Sequence, residues 1–155
     1  MSNSNNLSLD KKNIDTILVL DFGSQYTQLI ARRIRDLNVF SVILPWDFST
    51  KKIKSLNLKG VILSGGPESV TESNTPRIPE IIFELGVPVL GICYGMQTLA
   101  EQFGGQVSSS KNKEFGHAEI LLEKSSLLFD GFSSGSSIDV WMSHGDHVSD
   151  RKSVV

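Results

Sequence analysis

The sequence is poor in the residues that build disulfides and metal centres. Cys93 is the only cysteine among 155 residues, and there are three histidines. A single cysteine excludes a disulfide within the chain and a zinc site made of several cysteines. It also fits a protein of a reducing compartment, so we expect a cytoplasmic location.

Long apolar runs and an excess of one charge are also missing. No apolar stretch approaches the roughly 18 residues that span a bilayer, so the sequence predicts no membrane partner. The formal net charge is −2 and the basic residues form no block, which leaves no electrostatic footprint for nucleic acid. The phosphate-binding patterns G-x-x-x-x-G-K-[ST] and G-x-G-x-x-G do not occur, so the sequence gives little support to a nucleotide site.

The composition indicates one folded domain behind a polar start. Apolar residues make up 39% of the chain, which at this length is enough for one core. Residues 1–13 are polar and lack the apolar centre of a secretory signal, so we expect a disordered tail there. We assign residues 14–155 to a single domain.

Short β-branched runs alternate with helical patterns along this domain. Strands are predicted at residues 16–20, 39–44, 60–63 and 87–92, and helices at residues 25–37, 50–56, 78–85 and after Cys93. Such alternation predicts an α/β fold with right-handed crossovers, a mostly parallel central sheet and helices on both faces. Two later strands, at residues 118–122 and 138–142, predict an antiparallel extension of that sheet.

Cys93 lies where the last parallel strand meets a helix. The run at residues 87–92 suits a strand buried on both faces, and helical spacing of apolar residues follows the cysteine. Gly91 and Gly95 flank Cys93 in the pattern G-x-C-x-G, the cysteine counterpart of the serine nucleophile elbow. A helix N-terminus lowers a cysteine pKa, so we expect a nucleophilic thiolate. The alternative is an inert buried cysteine, which the strand, the helix and the spaced glycines together disfavour.

A cysteine that attacks a carbonyl group also needs hydrogen-bond donors for the oxyanion. In elbow enzymes one donor is the N–H group after the nucleophile, here that of Tyr94, and the second comes from another strand end. Gly66 follows the strand at residues 60–63, in a Ser-Gly-Gly-Pro turn. Its N–H group suits the second donor because glycine permits close approach of the backbone.

A base for the thiol is the remaining requirement. The histidines available are His117, His144 and His147. Residues 143–147 read SHGDH after a predicted strand end, so spacing alone nominates Cys93, His144 and Asp146 as a triad. The alternative is that this segment is a polar loop that positions a substrate. Spacing leaves both interpretations open.

Five segments of the chain together resemble one family. They read DFGSQYTQLIARRIR at residues 21–35, ILSGGPESV at 62–70, GICYGMQ at 91–97, EFGHA at 114–118 and VWMSHGD at 140–146. These segments resemble the class I glutamine amidotransferases, an elbow family of the predicted α/β fold. Tyr94, with the first and last segments, resembles the branch of that family found in GMP synthases.

The resemblance implies that Cys93 attacks the side-chain amide of glutamine and releases ammonia through a γ-glutamyl thioester. It implies an oxyanion hole at Gly66 and Tyr94, and contacts to the amino and carboxylate groups of glutamine from Gln97, Ser143, His144 and Asp146. It implies no cofactor in this domain, whereas ATP and Mg²⁺ serve a GMP synthetase module, in the same chain or a separate subunit, that converts XMP to GMP. A homodimer of the full enzyme is compatible with it.

The family pattern also contains a later His-Pro-Glu segment that supplies the base and its orienting glutamate, and these 155 residues do not include one. We therefore expect an incomplete domain. The alternative function is a truncated, non-catalytic module that binds glutamine or a synthetase partner.

The polypeptide alone is then expected to hydrolyse glutamine about 10⁴-fold or more slowly than a complete domain, because a triad loses most of its rate with one member. Glutamate release by the purified chain measures this. Substantial turnover would contradict the expectation and would restore His144 or His147 as the base.

Overall fold

The computed structural model of the chain describes residues 14–150, and for residues 110–115, 143, 144 and 150 it describes the backbone alone. The tail expected at residues 1–13 lies outside the described residues. Within residues 14–150, no helix combines the length and the apolar character needed to cross a membrane.

Strands and helices alternate along the first two thirds of the described chain. Their order is β1 (Asp15–Asp21), α1 (Thr27–Asp36), β2 (Phe40–Pro45), a 3₁₀ turn (Thr50–Lys52), β3 (Asn57–Leu63), α2 (Ile81–Glu84), β4 (Val89–Gly91), α3 (Tyr94–Gln102), β5 (Gln106–Leu121), a second 3₁₀ turn (Leu127–Phe129) and β6 (Ser137–Asp150). The predicted alternation is confirmed, although the helices predicted at residues 50–56 and 78–85 are each reduced to about one turn.

A parallel sheet of four strands, in the order β2-β1-β3-β4, forms the centre of the fold. The chain moves outward from β1 to β2 and then crosses back to β3 and β4. Because such crossovers are right-handed, α1 and the β3–β4 connection lie on opposite faces of the sheet. The predicted parallel α/β architecture is confirmed. A ligand crevice is expected where the strand order reverses, at the carboxyl ends of β1 and β3.

Aliphatic side chains of β1 and β3 form the middle of the core. Leu18, Val19 and Leu20 of β1 are inaccessible to solvent, and so is Leu63 of β3. Consecutive buried residues show that β1 is covered on both faces, as interior strands of parallel sheets are. The two strands whose ends form the expected crevice are therefore the most firmly held.

Helix α1 buries a different stripe from the one that the sequence predicts. Apolar spacing predicts a shared helical face of Tyr26, Leu29, Ile30, Ile34 and Leu37. In the structure Tyr26, Leu29 and Leu37 are exposed, whereas Thr27 and Ala31 are buried and Ile30 and Ile34 are half-buried. Thr27 and Ala31 are small, so the helix lies close to the sheet, and the Ser41 hydroxyl donates to the Ala31 carbonyl over 3.0 Å.

Strand β4 is less buried than predicted. The run at residues 87–92 suits a strand covered on both faces, but Leu90 is 37% exposed. Within the described chain, β4 pairs with β3 on one side and with no strand on the other. It is therefore the edge of the sheet as residues 14–150 define it.

The later strands do not extend the central sheet, as the sequence predicts, but pair with each other as a separate antiparallel hairpin. They are also far longer than residues 118–122 and 138–142. Polar residues prevail along β5, so it lacks the apolar faces of a central strand. A bulge on β5 places residues 110–113 opposite Gly145, so residues 143–146 lie within β6 and not in a loop. The hairpin packs against α3.

Two glycines allow the sharp turn at Cys93. A methyl group on Gly95 would lie 2.5 Å from the Leu63 carbonyl oxygen, and one on Gly91 would lie 2.6 Å from the Met96 Cα atom. Neither position can therefore carry a side chain while α3 starts beside β3. Cys93 itself has φ 50° and ψ −116°, a conformation that residues other than glycine rarely adopt. The structure thus contains the strand-to-helix elbow that the G-x-C-x-G pattern predicts.

Gly95→Ala is expected to lower the free energy of unfolding by about 1–3 kcal/mol, because the new methyl group would overlap the Leu63 backbone. Helix propensity alone predicts the opposite sign, a gain of about 1 kcal/mol. Denaturant titration measures the change. Gly145→Ala is the matched control, since a methyl group there meets no atom within 4 Å. A Gly95→Ala protein as stable as this control would contradict the packing role of Gly95.

Candidate active site

Cys93 lies at the carboxyl edge of the parallel sheet, between β4 and α3, and it is exposed to solvent. On one side of it, the Ile92 N–H group donates to the Leu63 carbonyl over 3.0 Å. On the other side, the Gly95 N–H group donates to the Ser64 carbonyl, also over 3.0 Å. Both bonds end on the last residues of β3 or the turn after it, so the position of the thiol is tied to that turn.

The surroundings of the thiol raise its pKa. Partial burial disfavours the charged thiolate, and this desolvation raises the pKa of Cys93 above its ordinary value. The direction is opposite to the one that the sequence predicts from the N-terminus of α3. Among the described residues, no charge or hydrogen bond offsets the desolvation. The thiol therefore keeps its proton at neutral pH until a base removes it.

The predicted second oxyanion donor lies beside the elbow. A methyl group on Gly66 would lie 2.8 Å from the Phe22 carbonyl oxygen and 3.3 Å from Tyr94 Cγ, so only glycine fits there. One on Gly65 would lie 3.7 Å from Cys93 Cβ, which places this turn next to the thiol. Within residues 14–150, the N–H groups of Gly66 and Tyr94 donate no hydrogen bond. This arrangement is compatible with an oxyanion hole, which stays a prediction.

Asp146 joins three segments of the chain. Its Oδ2 atom accepts a hydrogen bond from the Ser69 hydroxyl over 2.6 Å, and its backbone carbonyl accepts one from Gln97 Nε2 over 3.2 Å. Ser69 follows β3, Gln97 lies in the first turn of α3, and Asp146 belongs to β6. Two predicted substrate-binding residues, Gln97 and Asp146, thus lie together. The predicted side chains of Ser143 and His144 lie outside the described residues.

Ser69 is a site residue that sequence reasoning missed. Its place in the SGGPES turn, three residues after Gly66, was the available signal. The same reasoning considered only the N–H group of Tyr94. Its buried hydroxyl donates to the Pro76 carbonyl and so ties α3 to the loop that follows that turn.

The Gln102 side chain reinforces this tie between α3 and the loop. Its Oε1 atom accepts from the Ile78 N–H group over 2.8 Å, and its Nε2 atom donates to the Ile78 carbonyl over 3.0 Å. Gln102 thus pairs with one loop residue as a strand would. The segment that carries Gly66 is therefore held at both ends, by β3 and by α3.

The structure does not bring a histidine to the thiol. His117 Nε2 lies 2.9 Å from Asp139 Oδ1 on the surface of the hairpin, where the two side chains are 67% and 79% exposed. His147 is also exposed and pairs across the hairpin with Ser108. The role of His144 as a base stays a prediction. No group of three or more metal-ligating side chains occurs among the residues that the structure describes.

The sequence has relatives over nearly all of its length. The family model described as glutamine amidotransferase class-I matches residues 18–154. The glutamine-hydrolyzing GMP synthase of Colwellia psychrerythraea is 58% identical over 139 residues, which are 86% of this chain and 26% of that protein. The protein of the same name from Teredinibacter turnerae is 58% identical over 138 residues, 85% of this chain and 26% of that protein. The chain thus spans about a quarter of the length of the curated relatives it matches.

Solved structures share the fold. A GMP synthase subunit from Thermoplasma acidophilum has a TM-score of 0.72 and 31% identity, with 89% of this chain and 68% of that chain covered. A glutamine amidotransferase from Methylobacillus flagellatus has a TM-score of 0.63 and 19% identity, with 90% and 58% covered. The second likeness bears on the fold alone.

Alkylation of Cys93 by iodoacetamide is expected to follow a pH profile whose midpoint lies above that of an unstructured cysteine peptide, because desolvation favours the neutral thiol. The rate is then low at neutral pH and rises as the pH passes the raised pKa. Mass spectrometry of the chain gives the rates, and Cys93→Ser reports reaction at other side chains. A midpoint below that of the peptide would show that the N-terminus of α3 prevails over desolvation.

Proposed function

The chain belongs to the class I glutamine amidotransferase family, and from this membership we propose that it hydrolyses the side-chain amide of glutamine with Cys93 as the nucleophile. The ammonia released aminates XMP to GMP on an ATP-dependent synthetase module. The observation that carries the proposal is the elbow, an exposed cysteine at φ 50° beside the N–H groups of Gly66 and Tyr94. Sequence identity to GMP synthases supports the choice of XMP as acceptor.

The reaction begins when Cys93 Sγ forms a bond to the amide carbon of the glutamine side chain. The electron pair of the carbonyl π bond moves to the oxygen, and the N–H groups of Gly66 and Tyr94 donate to this oxyanion. When the carbonyl re-forms, the C–N bond breaks, and the nitrogen takes up a proton and leaves as ammonia. Water then attacks the γ-glutamyl thioester, which releases glutamate and returns the thiol.

The amino and carboxylate groups of glutamine are assigned to Gln97 and residues 143–146. Two hydrogen bonds support this assignment, since Ser69 holds the Asp146 carboxylate over 2.6 Å and Gln97 holds its backbone over 3.2 Å. A carboxylate held in place is the protein group that best binds an α-ammonium group. In this assignment His144 positions the substrate and is not the base.

The thiol needs a base, because burial raises the pKa of Cys93 and no described group offsets the shift. By the family resemblance this base is a histidine of a His-Pro-Glu segment, oriented by the glutamate. It takes the thiol proton as Sγ attacks and gives a proton to the leaving nitrogen, as the histidine of a Ser-His-Asp triad does.

The synthetase module is assigned the ATP and Mg²⁺ chemistry. The described residues include no cluster of three metal ligands, and the sequence contains no phosphate-binding glycine loop. This module belongs either to the same chain or to a separate subunit. The full enzyme is compatible with a homodimer. We place the protein in the cytoplasm, where free glutamine and a reduced thiol coexist.

A non-catalytic module is the second candidate function. The observation that favours it is the raised pKa of Cys93, which keeps the thiol protonated when no base is near. Such a module binds glutamine or contacts a synthetase partner without turnover. Both functions need the glutamine pocket, but only the enzyme needs the thiolate.

Labelling with diazo-oxo-norleucine, a glutamine analogue that alkylates the nucleophile, distinguishes the two functions. The expected result is one adduct at Cys93, located by mass spectrometry, blocked by excess glutamine and absent in Cys93→Ser. Glutamine binding without labelling, measured by calorimetry, would favour the non-catalytic module. Labelling that glutamine does not block would contradict both.

A further inference from the structure

A buried polar network below the candidate site takes no part in the proposed reaction. The Thr27 hydroxyl donates to Asp21 Oδ1 over 2.7 Å and lies 3.0 Å from Ser64 Oγ. Thr27 is 1% exposed and Ser64 is fully buried. One carboxylate and two hydroxyl groups thus connect the end of β1, the start of α1 and the turn after β3. Buried hydroxyl groups that are satisfied in this way hold their neighbours in one arrangement.

Ser64 carries the network to the elbow. Its backbone carbonyl accepts the hydrogen bond of the Gly95 N–H group over 3.0 Å, two residues after Cys93. Its N–H group donates to the Leu20 carbonyl over 3.0 Å, and its Oγ atom lies 3.4 Å from the Phe22 N–H group. A single residue is therefore bonded to β1, α1 and α3, and it begins the turn that contains Gly66.

The turn after β1 also forms the wall against which Gly66 packs. A methyl group on Gly66 would lie 2.8 Å from the Phe22 carbonyl oxygen, and one on Gly23 would lie 3.4 Å from Pro67 Cδ. The Gly23 N–H group donates to Asp21 Oδ1 over 2.9 Å. The carboxylate that holds Thr27 therefore also shapes this wall, and both routes end at Gly66.

We propose that Thr27 is a positioning residue for glutamine hydrolysis, whose buried hydroxyl, held by Asp21, sets the place of Ser64 and so of the Gly66 N–H group relative to Cys93. This role rests on the proposed function. Thr27 acts through Ser64 and does not touch the substrate. An oxyanion donor contributes about 10²–10³-fold to kcat, and a misplacement of about 1 Å can cost about 10²-fold.

Thr27→Val and Thr27→Ser in the full-length protein separate positioning from packing. Valine keeps the branched Cβ atom and the volume but removes the hydroxyl, whereas serine keeps the hydroxyl and loses the methyl group. We expect Thr27→Val to lower kcat for glutamine hydrolysis by about 10–100-fold and to change KM by less than about threefold, because the substrate contacts come from other segments. Thr27→Ser is expected to restore most of kcat.

A purely structural role predicts a different pattern. Both variants would then lower Tm, and kcat per folded molecule would be the same for valine, serine and threonine, which would overturn the proposal. Ser64→Ala serves if Thr27→Val does not fold, since it leaves the bond from Thr27 to Asp21 and removes the link to the turn. The same selective loss of kcat is expected for it, and an unchanged kcat in folded Ser64→Ala would overturn the positioning role.

Failure of the proposed function gives a separate result. A wild-type protein that releases no glutamate, or a Cys93→Ser protein that still does, overturns glutamine hydrolysis by Cys93 and the positioning role with it. Activity in the wild type, no activity in Cys93→Ser and full kcat in Thr27→Val would overturn the positioning role alone.

Discussion

The close approach of α3 to the end of β3 is the constraint on which the candidate site depends. No side chain fits at Gly95, where a methyl group would lie 2.5 Å from the Leu63 carbonyl oxygen. The helix therefore starts against the strand, and Cys93 between them takes φ 50°. A residue in such a conformation costs of order 1–3 kcal/mol and persists only when its surroundings hold it. Hydrogen bonds from Ile92 and Gly95 to the end of β3 and the turn after it supply that hold.

The same contact brings four separate segments to one corner of the sheet. The turn after β1 packs behind Gly66, the turn after β3 lies beside the elbow, and β6 reaches the first turn of α3 through Asp146. The arrangement places N–H groups and a held carboxylate around an exposed thiol. It does not activate that thiol, because burial raises the pKa of Cys93 and no described group opposes the shift. Binding and stabilisation of charge are thus built separately from proton transfer.

Much of this site could be predicted because its signals are local. The glycines at positions 91 and 95 mark a turn that no other residue permits, and the pattern that reveals it lies within the same few residues. Runs of buried β-branched residues predicted the parallel strands for a similar reason. Apolar spacing was a weaker guide for α1, where Thr27 and Ala31 face the sheet in place of Tyr26 and Leu29, because close packing favoured small residues over large apolar ones.

Residue types at short spacing were sufficient to indicate the alternating strands and helices, the elbow and the family. The folded chain was needed to show that β5 and β6 form their own hairpin, that Ser69 holds Asp146 across 77 positions, and that Thr27 meets Ser64 across 37. Such contacts depend on strand register and on how elements pack, which spacing along the chain does not specify. The direction of the Cys93 pKa shift belongs to the same class, because desolvation is a sum over everything that surrounds the thiol.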